Sequence, residues 1–256
     1  MDLGLDGRAY LLTGATRGLG RATAEALVAD GARVVVSGRR QESVDEAVAA
    51  LAGIGGDGCA AGVVADNADP DAAARLVAAA KDAWGRLDGV LVSVGGPPGG
   101  QVTDMTDEQW LAAFDSVFLG AVRLARTAAA ELGEGGSIAF VLSTSVRQPI
   151  PGLAISNGLR PGLAMVAKNL ADELGPRGIR VNGLLPGRVA TERVAELDVA
   201  TGDADAARAA TEAQIPLRRY GQPEEFGRVA AFVLSPAASF VSGVMVPVDG
   251  GMSRGL

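Results

Sequence analysis

The residue types that carry most enzymatic proton transfer are scarce in this chain of 256 residues. It contains no histidine, one cysteine (Cys59), two tyrosines (Tyr10 and Tyr220) and two lysines (Lys81 and Lys168). Because hydrolytic triads with a histidine base and histidine-ligated metal sites need an imidazole, the sequence excludes both, and no metal site is predicted. A single cysteine also excludes an intrachain disulfide framework, and Cys59 is predicted to fill the core.

The charge balance and the apolar pattern narrow the choice of partner. The formal net charge is −7, which disfavours electrostatic binding to nucleic acid or an anionic membrane and favours a small-molecule ligand. No apolar run approaches the roughly 18 residues that a membrane-spanning helix needs. The first ten residues, MDLGLDGRAY, lack the basic start and apolar stretch of a signal peptide. We therefore expect a cytoplasmic protein.

A glycine-rich segment, residues 13–20, has the spacing of a phosphate-binding turn. It reads Thr-Gly-Ala-Thr-Arg-Gly-Leu-Gly, follows a short apolar run and leads into a helical segment that starts near Arg21. Glycines here allow a tight turn and a close approach of the backbone to a pyrophosphate, which the helix N-terminus then binds. The predicted dinucleotide contacts in this segment are Gly14, Thr16, Arg17, Gly18, Leu19 and Gly20.

The end of the second apolar run selects between the two nicotinamide dinucleotides. NAD-binding sites carry an acidic residue there for the ribose 2′-hydroxyl, whereas an arginine suits the 2′-phosphate of NADP. Here the run ends Ser37-Gly38-Arg39-Arg40, without an acid. We predict that Arg39 and Arg40 bind NADPH or NADP+, with Arg17 within reach of the same phosphate. The alternative is that both arginines are merely solvated.

Short apolar runs alternate with alanine-rich helical segments along the chain. The near-continuous apolarity of the runs is typical of strands buried on both faces, and the helical segments supply the crossovers between parallel strands. This predicts an α/β fold: a Rossmann-type, doubly wound, seven-stranded parallel sheet in three αβα layers, forming a single domain over residues 1–256. The predicted strands are 8–12, 33–37, 60–65, 89–94, 137–143, 180–185 and 244–248.

One long segment, residues 189–216, interrupts this alternation. Its composition is helical but broken at Gly202, and it follows a strand end, the edge at which doubly wound sheets bind ligands. We interpret it as a lid over the substrate; the alternative is a helical oligomer contact or a surface insertion. The Gly/Pro loop 95–100 follows another strand to the same edge, where it either borders the cleft or is only a rigid turn.

Over nearly its whole length the chain resembles the short-chain dehydrogenase/reductase family. The matching elements are the TGxxxGxG loop at 13–20, Asp66 with Asn67, a loose match to the family's NNAG element at 92–95, and segments 178–182, 186–191, 219–225 and 249–251. The resemblance implies a nicotinamide-dependent oxidoreductase and a homodimer or homotetramer formed through helices at 106–132 and 156–175. The further cofactor contacts that it implies are Asp66, Asn67, Gly95, Pro186, Gly187, Val189 and Thr191.

The family's catalytic positions are only partly retained. The family uses an Asn, a Ser, and the Tyr and Lys of a YxxxK motif; at matching spacing this chain has Val117, Ser143, Ser156 and Arg160. Ser143 is the one match. Ser156 cannot replace tyrosine, since its hydroxyl is less acidic and its reach shorter, and arginine does not give up its proton. Arg160 either contacts the cofactor, as the missing lysine would, or is a structural or interface residue.

Glycine and proline residues around Arg160 affect the predicted helix there. Gly158, Pro161 and Gly162 predict that the helix carrying Ser156 and Arg160 starts late or is distorted.

The retained elements favour an enzyme with an unusual proton source. We predict an NADPH-dependent ketoreductase of antibiotic biosynthesis that reduces an aromatic polyketide ketone, whose own phenol, ortho or peri to the carbonyl, replaces the tyrosine acid. The pattern is similar to that of a tyrosine-lacking angucyclinone ketoreductase. Two alternatives stay open: a non-catalytic NADP(H)-binding regulatory or scaffold protein, and a reductase whose acid is a carboxylate such as Glu192.

Overall fold

The computed structural model describes residues 2–255, and its centre is one sheet of seven parallel strands in the order β3-β2-β1-β4-β5-β6-β7. Each strand lies within two residues of its predicted bounds. The fold prediction is therefore confirmed. The strands are β1 (Ala9–Leu12), β2 (Arg33–Gly38), β3 (Ala60–Val64), β4 (Gly89–Val92), β5 (Ser137–Val141), β6 (Arg180–Pro186) and β7 (Met245–Val248).

Helices cover both faces of the sheet and give the three predicted layers. They are α1 (Gly18–Ala29), α2 (Gln41–Gly55), α3 (Ala72–Trp84), α4 (Asp107–Ala113), α5 (Gly120–Glu131), α6 (Ala154–Leu174), α7 (Glu192–Val199), α8 (Ala204–Gln214) and α9 (Pro223–Leu234). α3, α5 and α6 pack on one face, and α1, α2 and α9 pack on the other. The first helix starts at Gly18, earlier than the predicted start near Arg21.

The strands divide the core between the two faces. Successive strand residues point to opposite sides, so in β1 Leu11 joins the cluster under α3, α5 and α6, while Tyr10 and Leu12 join the other cluster. All three side chains are almost completely buried. Cys59 is a buried free cysteine in the second cluster, in the core position that the sequence predicts.

α6 differs from the prediction. It begins at Ala154 and runs without a break to Leu174 with Pro161 inside it, so the predicted late start or distortion is wrong. An interior proline costs about 3 kcal/mol, but one face of α6 is buried against the sheet, and that packing offsets the cost. Ser156 and Arg160, spaced by four residues, consequently lie one turn apart on the same buried face.

A half-buried carboxylate and a buried guanidinium stabilise the amino edge of the sheet, away from the strand ends that bind ligands in such folds. Asp88 accepts hydrogen bonds from the Ala9 backbone N–H at 2.8 Å and from Arg86 at 2.7 Å. Arg180 donates to the carbonyls that end α9, including that of Val233 at 2.8 Å. Neither group is near the opposite, carboxyl edge. No helix within residues 2–255 is long and apolar enough to cross a membrane.

Candidate functional site

The glycine loop after β1 needs its glycines for two physical reasons. Gly14 and Gly18 both have φ of +57°, in the left-handed region that other residues avoid. A Cβ on Gly14 would also lie 2.8 Å from the Ser93 carbonyl oxygen, and one on Gly20 would lie 2.6 Å from the Gly14 oxygen. The loop is held against the end of β4 by Thr13, whose hydroxyl donates to the Ser93 carbonyl at 2.9 Å.

The N-terminus of α1 is open to an anion. Arg17 occupies the N-cap position in an extended conformation and its side chain makes no cap hydrogen bond. Among residues 2–255, the first N–H groups of the helix, from Gly18 to Gly20, therefore have no side-chain acceptor. Helix N–H groups and the helix dipole together favour a phosphate at this end. These residues therefore fit the pyrophosphate of a dinucleotide, although their contacts with one stay predictions.

The predicted adenosine side of the site lies at the ends of β2 and β3. Arg39 is exposed and makes no ion pair within residues 2–255, whereas Arg40 donates to the Ser43 hydroxyl at 2.9 Å. Asp66 is exposed after β3 and accepts from the Ala68 backbone N–H at 3.0 Å. Thr16 lies beside Gly38, where an added Cβ would come within 2.6 Å of the threonine methyl. The glycine loop and the β2 end thus adjoin, as binding of a nicotinamide dinucleotide requires.

The helix that follows α4 contains a local irregularity at the asparagine position of the family. Residues Phe114–Leu119 form a π-helix, a feature that often marks functional sites. Val117, at the family's asparagine position, is buried in the core. Gly120 allows the helix to approach Asn67, since a Cβ there would lie 2.2 Å from the Asn67 carbonyl oxygen. The π-helix is present although valine replaces the family's asparagine within it. No feature of the sequence predicted this π-helix.

Ser143 and Ser145 form the polar part of the β5 end. Ser143 is half-buried, and its hydroxyl accepts from the Ser145 backbone N–H at 3.1 Å, capping a short 3₁₀ turn. The Ser145 hydroxyl is buried and has no hydrogen-bond partner among residues 2–255. A buried hydroxyl without a partner costs free energy, so a polar ligand group is a favourable partner for it. The sequence analysis missed Ser145; its nearness to Ser143 was the available signal.

Arg160 lies behind these serines, between the ends of β4 and β5. It is 6% exposed, and its guanidinium donates to the Val141 carbonyl at 2.8 Å and more weakly to the Val94 carbonyl at 3.5 Å. Burial lowers the pKa of Arg160 to about 10, which leaves it charged at neutral pH. Two of its N–H groups are therefore used within the protein, and its predicted contact with the cofactor stays a prediction.

The loop that leads into α6 is fixed by Asn157. Its amide donates to the Ile150 carbonyl at 2.8 Å and accepts from the Ile150 backbone N–H at 3.0 Å. Ser156, the residue before it, is buried in the first turn of the helix. The tyrosine position is thus occupied by a short, buried hydroxyl.

Neither tyrosine of the chain lies at the tyrosine position of the family. Tyr10 is buried within β1, and desolvation, with a smaller contribution from the Asp88 carboxylate, raises its pKa far above the ordinary value despite the opposing effect of the nearby arginines. Tyr220 is buried after the lid, where burial and a hydrogen bond from its hydroxyl to Asp198 at 3.0 Å raise its pKa. Each tyrosine is therefore buried away from the position that the family's catalytic tyrosine occupies.

The segment 189–216 folds as a helical hairpin, α7 and α8, that turns at Gly202 with φ of +94°. Its first turn contacts two loops at the carboxyl edge of the sheet. Glu192 pairs with Arg17 of the glycine loop at 2.8 Å, and Arg193 donates to the Pro97 carbonyl of the Gly/Pro loop at 3.0 Å. The hairpin therefore lies over the predicted pyrophosphate site.

The predicted nicotinamide-side residues lie between β6 and α7. Pro186 ends β6, and Gly187 permits a close approach, because a Cβ there would lie 2.6 Å from the Asp249 Cβ. Val189 is buried, and Thr191 caps α7 by accepting from the Val194 N–H at 3.4 Å. The structure thus brings the β6 end and the glycine loop to the same edge of the sheet.

Comparisons with known proteins agree with this geometry. A family model described as Enoyl-(Acyl carrier protein) reductase matches residues 14–253. An uncharacterized oxidoreductase of Methylorubrum extorquens is 36% identical over 97% of this chain and 98% of its own length. Dehydrogenase/reductase SDR family member 4 of Homo sapiens is 35% identical over 96% of this chain and 88% of its own length.

Solved structures give the same result. A short-chain dehydrogenase/reductase from Brucella melitensis, described as a glucose/ribitol dehydrogenase, superposes with a TM-score of 0.92 at 31% identity, covering 100% of both chains. L-sorbose reductase from Gluconobacter frateurii, complexed with NADPH and L-sorbose, superposes with a TM-score of 0.93 at 28% identity, again over 100% of both chains. The chain therefore belongs to the short-chain dehydrogenase/reductase family, oxidoreductases that bind nicotinamide cofactors.

Proposed function

We propose that this protein is an NADPH-dependent ketoreductase whose proton comes from the substrate. The proposal rests on the residues at the family's catalytic positions. In α6, the tyrosine and lysine positions are occupied by Ser156 and Arg160, which are both buried, whereas Ser143 at the β5 end is half-buried. The hydroxyl that orients a carbonyl is kept, and the usual acid is missing. NADPH, when bound, supplies the hydride that adds to the carbonyl carbon.

The preference for NADPH is supported by the charges around β2. Arg39 is exposed at the strand end, no acidic residue follows that strand, and Arg17 lies on the adjoining glycine loop. An arginine there is the partner that a ribose 2′-phosphate needs, whereas a 2′-hydroxyl would find no carboxylate acceptor in the β2 end. The L-sorbose reductase that this chain resembles was solved with NADPH.

The substrate class follows from the missing acid. A phenol ortho or peri to the ketone is already hydrogen-bonded to the carbonyl oxygen; as the carbon accepts hydride, that oxygen takes the phenolic proton. The products are an alcohol and a phenolate, which water then protonates. Ser143 orients the carbonyl, and the lid excludes water from it. Orientation alone contributes several kcal/mol to the rate, and a positioned acid adds about 10² to 10⁴-fold.

An aromatic polyketide of the angucyclinone type fits this requirement, since it combines fused rings with hydroxyls beside a ketone. The missing tyrosine is shared with the angucyclinone ketoreductase of simocyclinone biosynthesis, which the sequence resembles. The Gly/Pro loop 95–100 and the hairpin 189–216 would form two walls of the substrate cleft at the carboxyl edge. We place the enzyme in antibiotic biosynthesis, in the cytoplasm.

A homo-oligomer is part of the proposal. Leu111, Phe114 and Met165 are large apolar residues exposed on the α4 to α6 surface, with Leu111 and Met165 each 65% exposed. Apolar side chains exposed together favour a subunit contact. The family resemblance predicts a dimer or tetramer through these helices.

The test compares a phenolic ketone with its ether. 8-Hydroxy-1-tetralone and 8-methoxy-1-tetralone differ only in the methyl group that replaces the peri phenolic proton, and NADPH oxidation is followed at saturating cofactor. We expect the phenol to turn over about 10² to 10⁴-fold faster than the ether. Equal turnover of the two compounds would exclude the phenol as the proton donor.

The alternative function is non-catalytic NADP(H) binding. It is favoured by the same buried Ser156, because a scaffold protein has no need of an acid. It predicts NADPH binding with no NADPH oxidation across a panel of hydroxyaryl ketones that includes fused tetracyclic compounds. Turnover of one panel member above the uncatalysed rate would rule it out.

A further inference from the structure

Arg160 carries a buried charge that has no counter-ion within residues 2–255. There its guanidinium is bonded only to the neutral carbonyls of Val141 and Val94 and makes no ion pair with a carboxylate, and burial lowers its pKa. This is an expensive arrangement, because a buried cation normally needs an ion-pair partner.

The segments packed against α6 do not supply that partner. None of their charged side chains makes an ion pair or hydrogen bond with the Arg160 guanidinium in the part of the chain that the structure describes. These side chains are Asp115 in the π-helix, Arg123, Arg126 and Glu131 in α5, Arg177 after α6, and Arg180 in β6.

The charge lies where the proposed reaction produces an anion. Val141 is the last residue of β5, two residues before Ser143, and Val94 directly precedes the Gly/Pro loop. Arg160 therefore lies just inside the carboxyl edge, behind the hydroxyl that orients the carbonyl. Its bonds to both strand ends also fix the separation of the loops that border the cleft.

We propose that the buried charge of Arg160 stabilises the phenolate that forms on the substrate, and so makes the substrate's own phenol a stronger acid in the site. This inference rests on the proposed function and names the group that supports it. Arg160 does not transfer a proton and does not need to touch the substrate. It acts through the field of a charge that the protein leaves uncompensated.

The size of the effect follows from electrostatics. A unit charge roughly 10 Å away, acting through an effective dielectric constant of about 20, shifts the pKa of an acid by about one unit. Removing the charge should therefore raise the pKa of a bound phenol by about one unit. A lysine at position 160 should restore most of the shift, although it can satisfy fewer of the carbonyls.

The experiment titrates a bound phenol directly. 2′-Hydroxy-5′-nitroacetophenone is an ortho-hydroxyaryl ketone whose nitro group brings its titration near neutral pH and makes its phenolate yellow. The probe is bound to the NADP+ complex of the wild type, of Arg160→Gln and of Arg160→Lys, and its absorbance is followed against pH. Arg160→Met serves as a second neutral variant if the glutamine variant does not fold.

Arg180→Gln is the matched control. Arg180 is also 6% exposed and also bonded to backbone carbonyls, but it lies at the amino edge of the sheet. We expect the neutral variants at position 160 to raise the pKa of the bound phenol by about one unit, with Arg160→Lys and Arg180→Gln close to the wild type.

The outcomes separate the inference from the function on which it rests. Normal probe binding with the same pKa in all variants overturns the role of Arg160 alone. If the pKa of the bound phenol shifts equally in Arg180→Gln, the shift is a general structural effect, and the inferred role of Arg160 is overturned. Failure of the wild type to bind the probe counts against both the proposed function and this inference.

Discussion

Arg17 of the glycine loop and Glu192 at the start of α7 are joined across 175 positions of sequence by an ion pair of 2.8 Å. Both side chains are exposed, so the pair is worth at most about 1 kcal/mol in stability. The ion pair matters for the geometry of the site, because it connects the predicted pyrophosphate site to the lid. It also occupies the carboxylate that was an alternative proton donor.

Glu192→Gln tests that alternative. We expect turnover of a hydroxyaryl ketone to stay within about threefold of the wild type and the free energy of unfolding to change by less than about 1 kcal/mol, as for exposed ion pairs. Steady-state kinetics and urea denaturation measure the two quantities. A loss of 10² or more in turnover with unchanged NADPH binding would instead identify Glu192 as the acid.

Arg39→Ala tests the choice of cofactor. Loss of a charge-assisted contact with the 2′-phosphate should raise the dissociation constant of NADPH by roughly ten- to a hundredfold and leave that of NADH unchanged. Fluorescence titration measures both constants. Arg33→Ala is the control, since Arg33 is also exposed but begins β2 at the opposite edge of the sheet. An unaltered NADPH constant in Arg39→Ala would refute the assignment.

Tyr220→Phe tests whether the lid tyrosine is structural. The variant loses the hydrogen bond to Asp198, so the free energy of unfolding should fall by about 1 to 3 kcal/mol. Turnover should stay within about tenfold, because Tyr220 is not at the tyrosine position of the family. A double-mutant cycle with Asp198→Asn checks that the two residues act as a pair. Complete loss of turnover in a folded Tyr220→Phe protein would make it the missing acid.

Asp88 contributes stability at neutral pH that the protein loses in acid. Burial alone would raise the pKa of Asp88, but hydrogen bonds from Arg86 and the Ala9 N–H outweigh it and lower the pKa. A carboxylate with a lowered pKa contributes stability that is present above its unfolded pKa of about 4 and is lost as the pH falls through the folded value.

Asp88→Asn should therefore be less stable than the wild type at neutral pH, by about 1 to 3 kcal/mol, and this difference should shrink as the pH falls through and below about 4. Urea denaturation from pH 3 to pH 7 measures it. Asp82→Asn, a change at an exposed carboxylate of α3, is the control. A constant difference across the pH range would show that the Asp88 carboxylate has no lowered pKa.

The strands were predictable because parallel strands buried on both faces need continuous apolar runs, and these are visible in short windows of sequence. The predicted runs extended past the observed ends of β4 and β5, at Ser93, Val94 and Ser143. Those residues lie just beyond the paired strands, and Val94 is still buried in the core there, so apolarity alone did not mark where strand pairing stops. The prediction that α6 starts late or is distorted was wrong for a related reason. The intrinsic propensity of proline disfavours a helix interior, but the tertiary packing of α6 outweighs that propensity at Pro161.

The sequence by itself determined the layered fold, the glycine turn and the absence of the family's tyrosine and lysine, because each is a matter of residue type at a given spacing. Only the tertiary structure decided how the remaining groups are used. Within residues 2–255 it left the Ser145 hydroxyl without a partner, paired Arg17 with Glu192, and directed Arg160 to the carbonyls of Val141 in β5 and Val94 after β4. These contacts join residues far apart in the chain, and their strength depends on burial and dielectric surroundings that no local pattern contains.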